Sequence, residues 1–139
     1  CTAVSSVIEL SECKLQSTTA LTNPNGADIS RDTFKPQGWY NATLPSTVMA
    51  SLVANGVYKD PFYGLNLQNV STSKFDNSWW YRCQFSAPMK GNNAQLTFKG
   101  INYKANVWFN GQKIGDVKDV VGTFRYFDFD ITPLYNDKS

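Results

Sequence analysis

An all-β sandwich is the fold class that this chain of 139 residues predicts, on three observations. Aromatic residues are abundant, with four Trp, seven Tyr and nine Phe, while charged residues make up only 17%. Glycine and proline punctuate the chain at intervals rather than clustering. Four segments of the second half also alternate apolar and polar residues with a period of two. Aromatic side chains suit a pleated, half-buried surface, and period-two alternation marks a sheet with one dry and one wet face.

The elements follow in order. The first dozen residues are mixed in character and hold both glutamates, Glu9 and Glu12. A short strand over Lys14 to Leu21 fits before the turn signal Asn23-Pro24-Asn25-Gly26. Ala27 to Phe34 reads as a second strand or as a loop, and Lys35-Pro36-Gln37-Gly38 is a further turn. Trp39 opens a strand-like stretch. Pro45-Ser46-Thr47 then starts a helix of about two turns with Ser46 as N-cap. Val48, Leu52 and Val53 fall on one helical face, and Asn55-Gly56 closes the element.

From Trp79 the pattern is β. Trp79, Tyr81, Cys83 and Phe85 share one face, with Trp80, Arg82 and Gln84 on the other. Ala94, Leu96 and Phe98 alternate with Gln95, Thr97 and Lys99. Ala105, Val107 and Phe109 alternate with Lys104, Asn106 and Trp108. The last of these strands ends at Asn110-Gly111, the strongest short hairpin signal, and returns through Lys113 and Ile114. Phe127, Phe129 and Ile131 alternate with Asp128 and Asp130. Trp108 points outward on its strand; an exposed indole there would be a sugar-stacking platform, but cover by a loop or a neighbouring domain is the favoured expectation.

Composition excludes several function classes. A net charge of +2 with no run of Lys or Arg gives no nucleic-acid footprint. No segment approaches the roughly 20 apolar residues of a membrane span. The chain has no histidine, so a Ser-His or Cys-His nucleophile cannot be assembled within it. Cys1, Cys13 and Cys83 lack the close spacing of a zinc site, and no metal or cofactor is assigned. Cys1 has two readings. As the lipid-bearing first residue of a mature bacterial lipoprotein, it would leave Cys13 and Cys83 as a candidate disulfide pair. As an accident of where the chain begins, it leaves three ordinary thiols. Asn41-Ala42-Thr43 and Asn69-Val70-Ser71 fit the glycosylation pattern, which arises often by chance.

Candidate chemistry centres on carboxylates and on one aromatic loop. Asp128 and Asp130 share a strand face, but nothing around them marks a raised pKa, so they read as a solvated face with a turn contact. The loop Asp60-Pro61-Phe62-Tyr63-Gly64-Leu65-Asn66 is more informative. Pro61 holds Asp60 extended, Phe62 and Tyr63 present rigid ring faces, and Gly64 permits a sharp turn. Sugars are recognised by such mixtures, with a ring against the C–H face and amides or carboxylates on the hydroxyls. A loop that merely packs down over the sheets is the alternative.

The stretch Trp39 to Leu67, followed by Phe75-Asp76-Asn77-Ser78-Trp79-Trp80-Tyr81-Arg82, resembles the amino-terminal sugar-binding domain of glycoside hydrolase family 2. The β-mannosidase and exo-β-glucosaminidase branches resemble it most. Asn106-Val107-Trp108-Phe109-Asn110-Gly111 resembles that family's hairpin, and Phe127-Asp128-Phe129-Asp130-Ile131-Thr132 its closing strand. The resemblance covers Trp39 to Leu134, and residues 1–38 match nothing diagnostic. Val121-Gly122-Thr123-Phe124 stands where many relatives carry Gly-Gly-Tyr, a departure that bears on substrate and not on fold.

The resemblance implies a jelly-roll sandwich of the galactose-binding-domain-like type with one short helix. It implies a single domain, 1–139, cut from a larger multidomain retaining β-glycosidase acting on β-mannosides or β-glucosaminides. Such a domain is non-catalytic: it shapes the pocket of a catalytic barrel elsewhere in the polypeptide. The matching positions for sugar contact are Asp60, Phe62, Tyr63 and Asn66, with Asn77 as a further candidate, and no catalytic residue is assigned. The implied location is secreted, periplasmic or cell-surface, with membrane contact only through a lipid on Cys1. Two rivals remain, a free-standing carbohydrate-binding module and a purely structural sandwich.

Overall fold

The computed structural model describes residues 7–59, 63–64, 68, 70, 73, 75–86 and 93–135. The chain forms two compact units: Glu9–Pro24 with Lys35–Gln84, and Cys1–Ile8 with Asn25–Phe34 and Phe85–Ser139. Among the described residues, strands dominate and helices are short, as the alternation predicts.

The first unit is built on a three-stranded antiparallel sheet. Its central strand is β1 (Glu12–Ser17), flanked by β2 (Tyr40–Thr43) and β3 (Trp79–Cys83). Alternation along β1 turns Cys13 and Leu15 inward, and Leu15 is fully buried. They form a core with Ala42, against which Tyr40, Leu44, Val48, Trp79 and Cys83 pack. Cys13 lies directly opposite Cys83 in the register, and the two form a disulfide. The strand expected over Lys14 to Leu21 begins earlier and stops at Ser17. There the Ser17 hydroxyl accepts from Thr19 N, and residues Thr18–Ala20 turn into a 3-10 helix. A side-chain oxygen at a turn competes with the strand ladder for backbone donors.

Helix α1 (Val48–Ala54) lies after β2, at the expected place and length. Its N-cap is Thr47, not Ser46: the Thr47 hydroxyl accepts from Ala50 N at 3.1 Å. Ser46 instead exchanges a hydrogen bond with buried Ser51 at 2.9 Å. At the other end Gly56 adopts φ +73. Gly56 N donates to Val53 O and Val57 N to Leu52 O, both at 2.9 Å, which closes the helix in a Schellman motif. Asn55 ties this end to β2. Its Nδ2 donates to Asn41 O and Ser51 O, each at 2.7 Å, while its Oδ1 accepts from Asn41 N at 3.1 Å.

The second unit joins β4 (Gln95–Phe98) to β7 (Phe127–Asp130) and β5 (Val107–Phe109) to β6 (Gln112–Gly115), both pairs antiparallel. Alternation sends Val107 and Phe127 into one core, which Val120 joins from the turn after β6, with Phe98, Ile101, Ala105, Ile114 and Phe129 packed on it. Asn110 and Gly111 both take positive φ, +46 and +89, as a type I′ turn between β5 and β6 requires.

The segment Ala27 to Phe34 is neither a strand nor a plain loop. Gly26–Ile29 forms a single helical turn, α2, whose N-cap is Asn25. The Asn25 side chain accepts from Ala27 N at 3.0 Å, so the turn signal at Asn23 to Gly26 is also a helix start. Ile29 from this turn is buried. Gly26 lies so close to Trp108 that a β-carbon there would fall inside the indole. Trp108 is therefore covered by a short element of its own chain, while Lys113 Nζ lies 5.8 Å from its ring centroid.

Candidate functional site

The candidate sugar-facing residues lie between α1 and β3. Asp60, Phe62 and Asn66 fall outside the described residues, as do Pro61, Cys1, Asn69 and Ser71. Tyr63 is described and 77% exposed. Gly64 beside it takes φ +59 with open space around its Cα, as a sharp turn requires.

Flanking residues bring the two ends of this segment together. Tyr58 follows the Schellman close of α1, and its ring meets Phe75 with centroids 6.4 Å apart. Asn77 follows Phe75 by two positions. Asn77 is exposed and donates from Nδ2 to Ser73 O at 3.0 Å. Thr18 N donates to Ser78 O at 3.0 Å, which anchors the residue after Asn77 to the end of β1.

The strand that follows is architectural. Trp79 and Cys83 face the core, and Tyr81 opposes Leu15 in register. Burial pushes the Tyr81 phenol above its ordinary pKa. Arg82, on the opposite face, is only 8% exposed, and its Nη1 donates to Gln84 Oε1 at 3.1 Å. A guanidinium so held is an anchor for the strand rather than a ligand for solvent-borne substrate.

The two strand-face aspartates are engaged locally. Thr97 Oγ1 donates to Asp128 Oδ1 at 2.6 Å across the β4–β7 ladder. Asp130 Oδ1 accepts from Thr132 N at 2.9 Å, and hydrogen bonds from Thr132 hold this carboxyl below the usual carboxylate range. Asp116 is likewise lowered, by hydrogen bonds from Lys113 and from Lys118 N. A low pKa fits a fixed acceptor and opposes a role as proton donor at neutral pH.

One feature has no precursor in the sequence pattern: a shallow depression of about 170 Å³ lined by Arg31, Asp32, Thr33 and Asn110. Asn110 is positioned there by Nδ2 donating to Leu134 O at 2.9 Å, and Gly111 N donates to Ser30 Oγ at 2.9 Å. The helical turn α2 creates this neighbourhood, and no periodicity announces so short a helix. Among the described residues, no group of three potential metal ligands gathers anywhere.

The family described as glycosyl hydrolase 2 galactose-binding domain-like matches residues 19–139, reaching further toward the amino terminus than the motifs, which begin at Trp39. The exo-β-D-glucosaminidase of Amycolatopsis orientalis is 40% identical over 104 residues, covering 75% of this chain and 10% of the relative. The mannosylglycoprotein endo-β-mannosidase of Lilium longiflorum is 34% identical over 101 residues, covering 69% of this chain and 10% of its own. The crystal structure of the A. orientalis exo-chitosanase CsxA superposes with a TM-score of 0.89 at 33% identity, over 96% of this chain and 16% of that one. The chain thus spans a small fraction of the length of the relatives it matches.

Proposed function

We propose, on the premise that this chain belongs to the galactose-binding-domain-like family of glycosyl hydrolase 2, that it is the sugar-binding accessory domain of a retaining β-glycosidase. Its catalytic carboxylates lie outside residues 1–139, and β-linked glucosaminides are its first substrate class, with β-mannosides second. The observation that carries this reading is the superposition over 96% of the chain onto 16% of an exo-chitosanase. Higher identity to exo-β-D-glucosaminidase than to the β-mannosidase of Rattus norvegicus, 40% against 31%, favours glucosaminides. The engagement of Asp128 and Asp130 with threonines agrees with an acid–base pair supplied from elsewhere.

In this function Phe62 and Tyr63 offer ring faces to the sugar, while Asp60, Asn66 and Asn77 bond its hydroxyls and fix its orientation at the pocket mouth. The protein works in a secreted, periplasmic or cell-surface setting, a location supported by the Cys13–Cys83 disulfide, since such bonds persist in oxidising compartments.

The test uses the full-length protein with an aryl β-glucosaminide and an aryl β-mannoside. Asp60→Ala, Asn66→Ala and Asn77→Ala are each expected to lower kcat/KM on the preferred substrate about tenfold, the loss of one or two polar contacts. Unchanged kcat/KM in all three variants would leave a purely structural role. Hydrolysis by residues 1–139 alone, at a rate scaling with their concentration, would remove the accessory assignment.

A further inference from the structure

The chain contains three Asn-Gly pairs: Asn25-Gly26, Asn55-Gly56 and Asn110-Gly111. Such a pair is a reactive unit. Glycine has no β-carbon to hinder its amide nitrogen, so that nitrogen can reach the carboxamide carbon of the preceding asparagine. Ring closure needs a carboxamide that can rotate and a glycine N–H that can lose its proton. The fold grants these two freedoms unequally to the three pairs.

Asn55 is half-buried and its whole carboxamide is engaged. Its Nδ2 donates to Asn41 O and Ser51 O, each at 2.7 Å, and its Oδ1 accepts from Asn41 N at 3.1 Å. Gly56 N, the would-be nucleophile, donates to Val53 O at 2.9 Å. Asn110 is also half-buried; its Nδ2 donates to Leu134 O and Gly111 N donates to Ser30 Oγ, both at 2.9 Å. Each of these pairs can react only after a local opening that breaks such bonds. Asn25 differs on every count. It is exposed, and among the described residues its carboxamide is held only through Oδ1, which accepts from Ala27 N at 3.0 Å. No described residue accepts from Gly26 N.

We infer that Asn25 is a self-modification site of the folded protein, at which Gly26 N closes a succinimide on the Asn25 carboxamide. The bond from Gly26 N to Asn25 Cγ forms and the Cγ–Nδ2 bond breaks. Nδ2 leaves as ammonia with the proton that Gly26 N gives up. One water then opens the imide at either carbonyl, leaving aspartate or isoaspartate at position 25, and no oxidant or reductant takes part. Aspartate keeps an oxygen for Ala27 N. Isoaspartate lengthens the backbone by one carbon beside Gly26, where the Trp108 indole leaves no room for a β-carbon. The second product therefore loosens the cover of Trp108.

Peptide mapping of the full-length protein, kept folded in mildly alkaline buffer and sampled over time, tests the inference. The amide-to-acid mass change is read at all three asparagines. With each hydrogen bond that must open first slowing closure about fivefold, conversion at Asn25 is expected to lead Asn110 by at least about fivefold and Asn55 by about a hundredfold. The same protein, reduced and unfolded in urea, is expected to convert all three at comparable rates. Conversion at Asn55 or Asn110 ahead of Asn25 in the folded protein would overturn the inference. So would an unchanged Asn25 in the folded sample over the time in which the unfolded one reacts. Asn25→Ser keeps a capping oxygen and removes the carboxamide. Early ammonia release is expected to disappear in this variant, and its persistence would place the reaction elsewhere.

Discussion

Breaking the Cys13–Cys83 disulfide gives the most quantitative test of how the first unit is held together. The two residues face each other across β1 and β3, with Cα atoms 4.2 Å apart, the spacing of a close, non-hydrogen-bonded antiparallel pair. The reduced protein can keep the same pairing, so the effect falls on the unfolded chain, where the bond closes a loop with a sequence separation of 70. Chain entropy for such a loop is about 15 cal/mol/K, or about 4.4 kcal/mol at room temperature. Against an unfolding entropy of about 290 cal/mol/K for a chain of this length, that is a fall in Tm of about 15 °C. Circular-dichroism melts of the 139-residue chain with and without reductant, and of the Cys13→Ala/Cys83→Ala variant, read this directly. Thiol titration should find both cysteines blocked before reduction. A shift below about 3 °C after verified reduction would refute the reasoning. It would mean that the unfolded chain already holds these positions together, or that the bond is strained in the folded state.

Three further outcomes follow from local geometry. Gly→Ala inside a helix ordinarily stabilises, but Gly26→Ala is expected to destabilise by about 1–3 kcal/mol because the new methyl meets the Trp108 indole; a urea melt reads the loss, and Trp108→Leu should restore part of it. Thr47→Ala should cost about 1 kcal/mol in the same assay, through loss of the N-cap bond to Ala50 N. Asp130 has a folded pKa held below its unfolded one by Thr132, so its stabilisation is full above the unfolded value of about 4 and fades as pH falls through the folded value. The gap in urea midpoint between wild type and Asp130→Ala should therefore be open at neutral pH and close in acid; a gap that widens in acid would contradict the assignment.

Strands were the part of this protein most legible in the sequence. At Gln95 to Phe98, Val107 to Phe109 and Phe127 to Asp130, alternation named the inward residues correctly, because a pleat sends successive side chains to opposite faces whatever the neighbours do. Asn110-Gly111 was legible for a similar reason, since the type I′ turn needs positive φ at both positions. Helix α2 was not legible: one turn carries no periodicity, and Gly26 and Asn25 read as a turn until Asn25 is seen capping it. Nor could Ser46 and Thr47 be separated, as adjacent hydroxyl residues are equivalent caps until the chain direction and the contact with Ser51 choose between them.

The sequence by itself determined the all-β class, the family and the polar and aromatic residue types of the segment Asp60 to Asn66, because these follow from local pattern and motif order. Only the tertiary structure decided that Cys13 and Cys83 meet, that the Tyr58 and Phe75 rings meet, and that Trp108 is covered while Tyr103, Phe124 and Tyr126 are not. Pairing and coverage depend on which distant segments come together, and residue spacing along a chain does not contain that information.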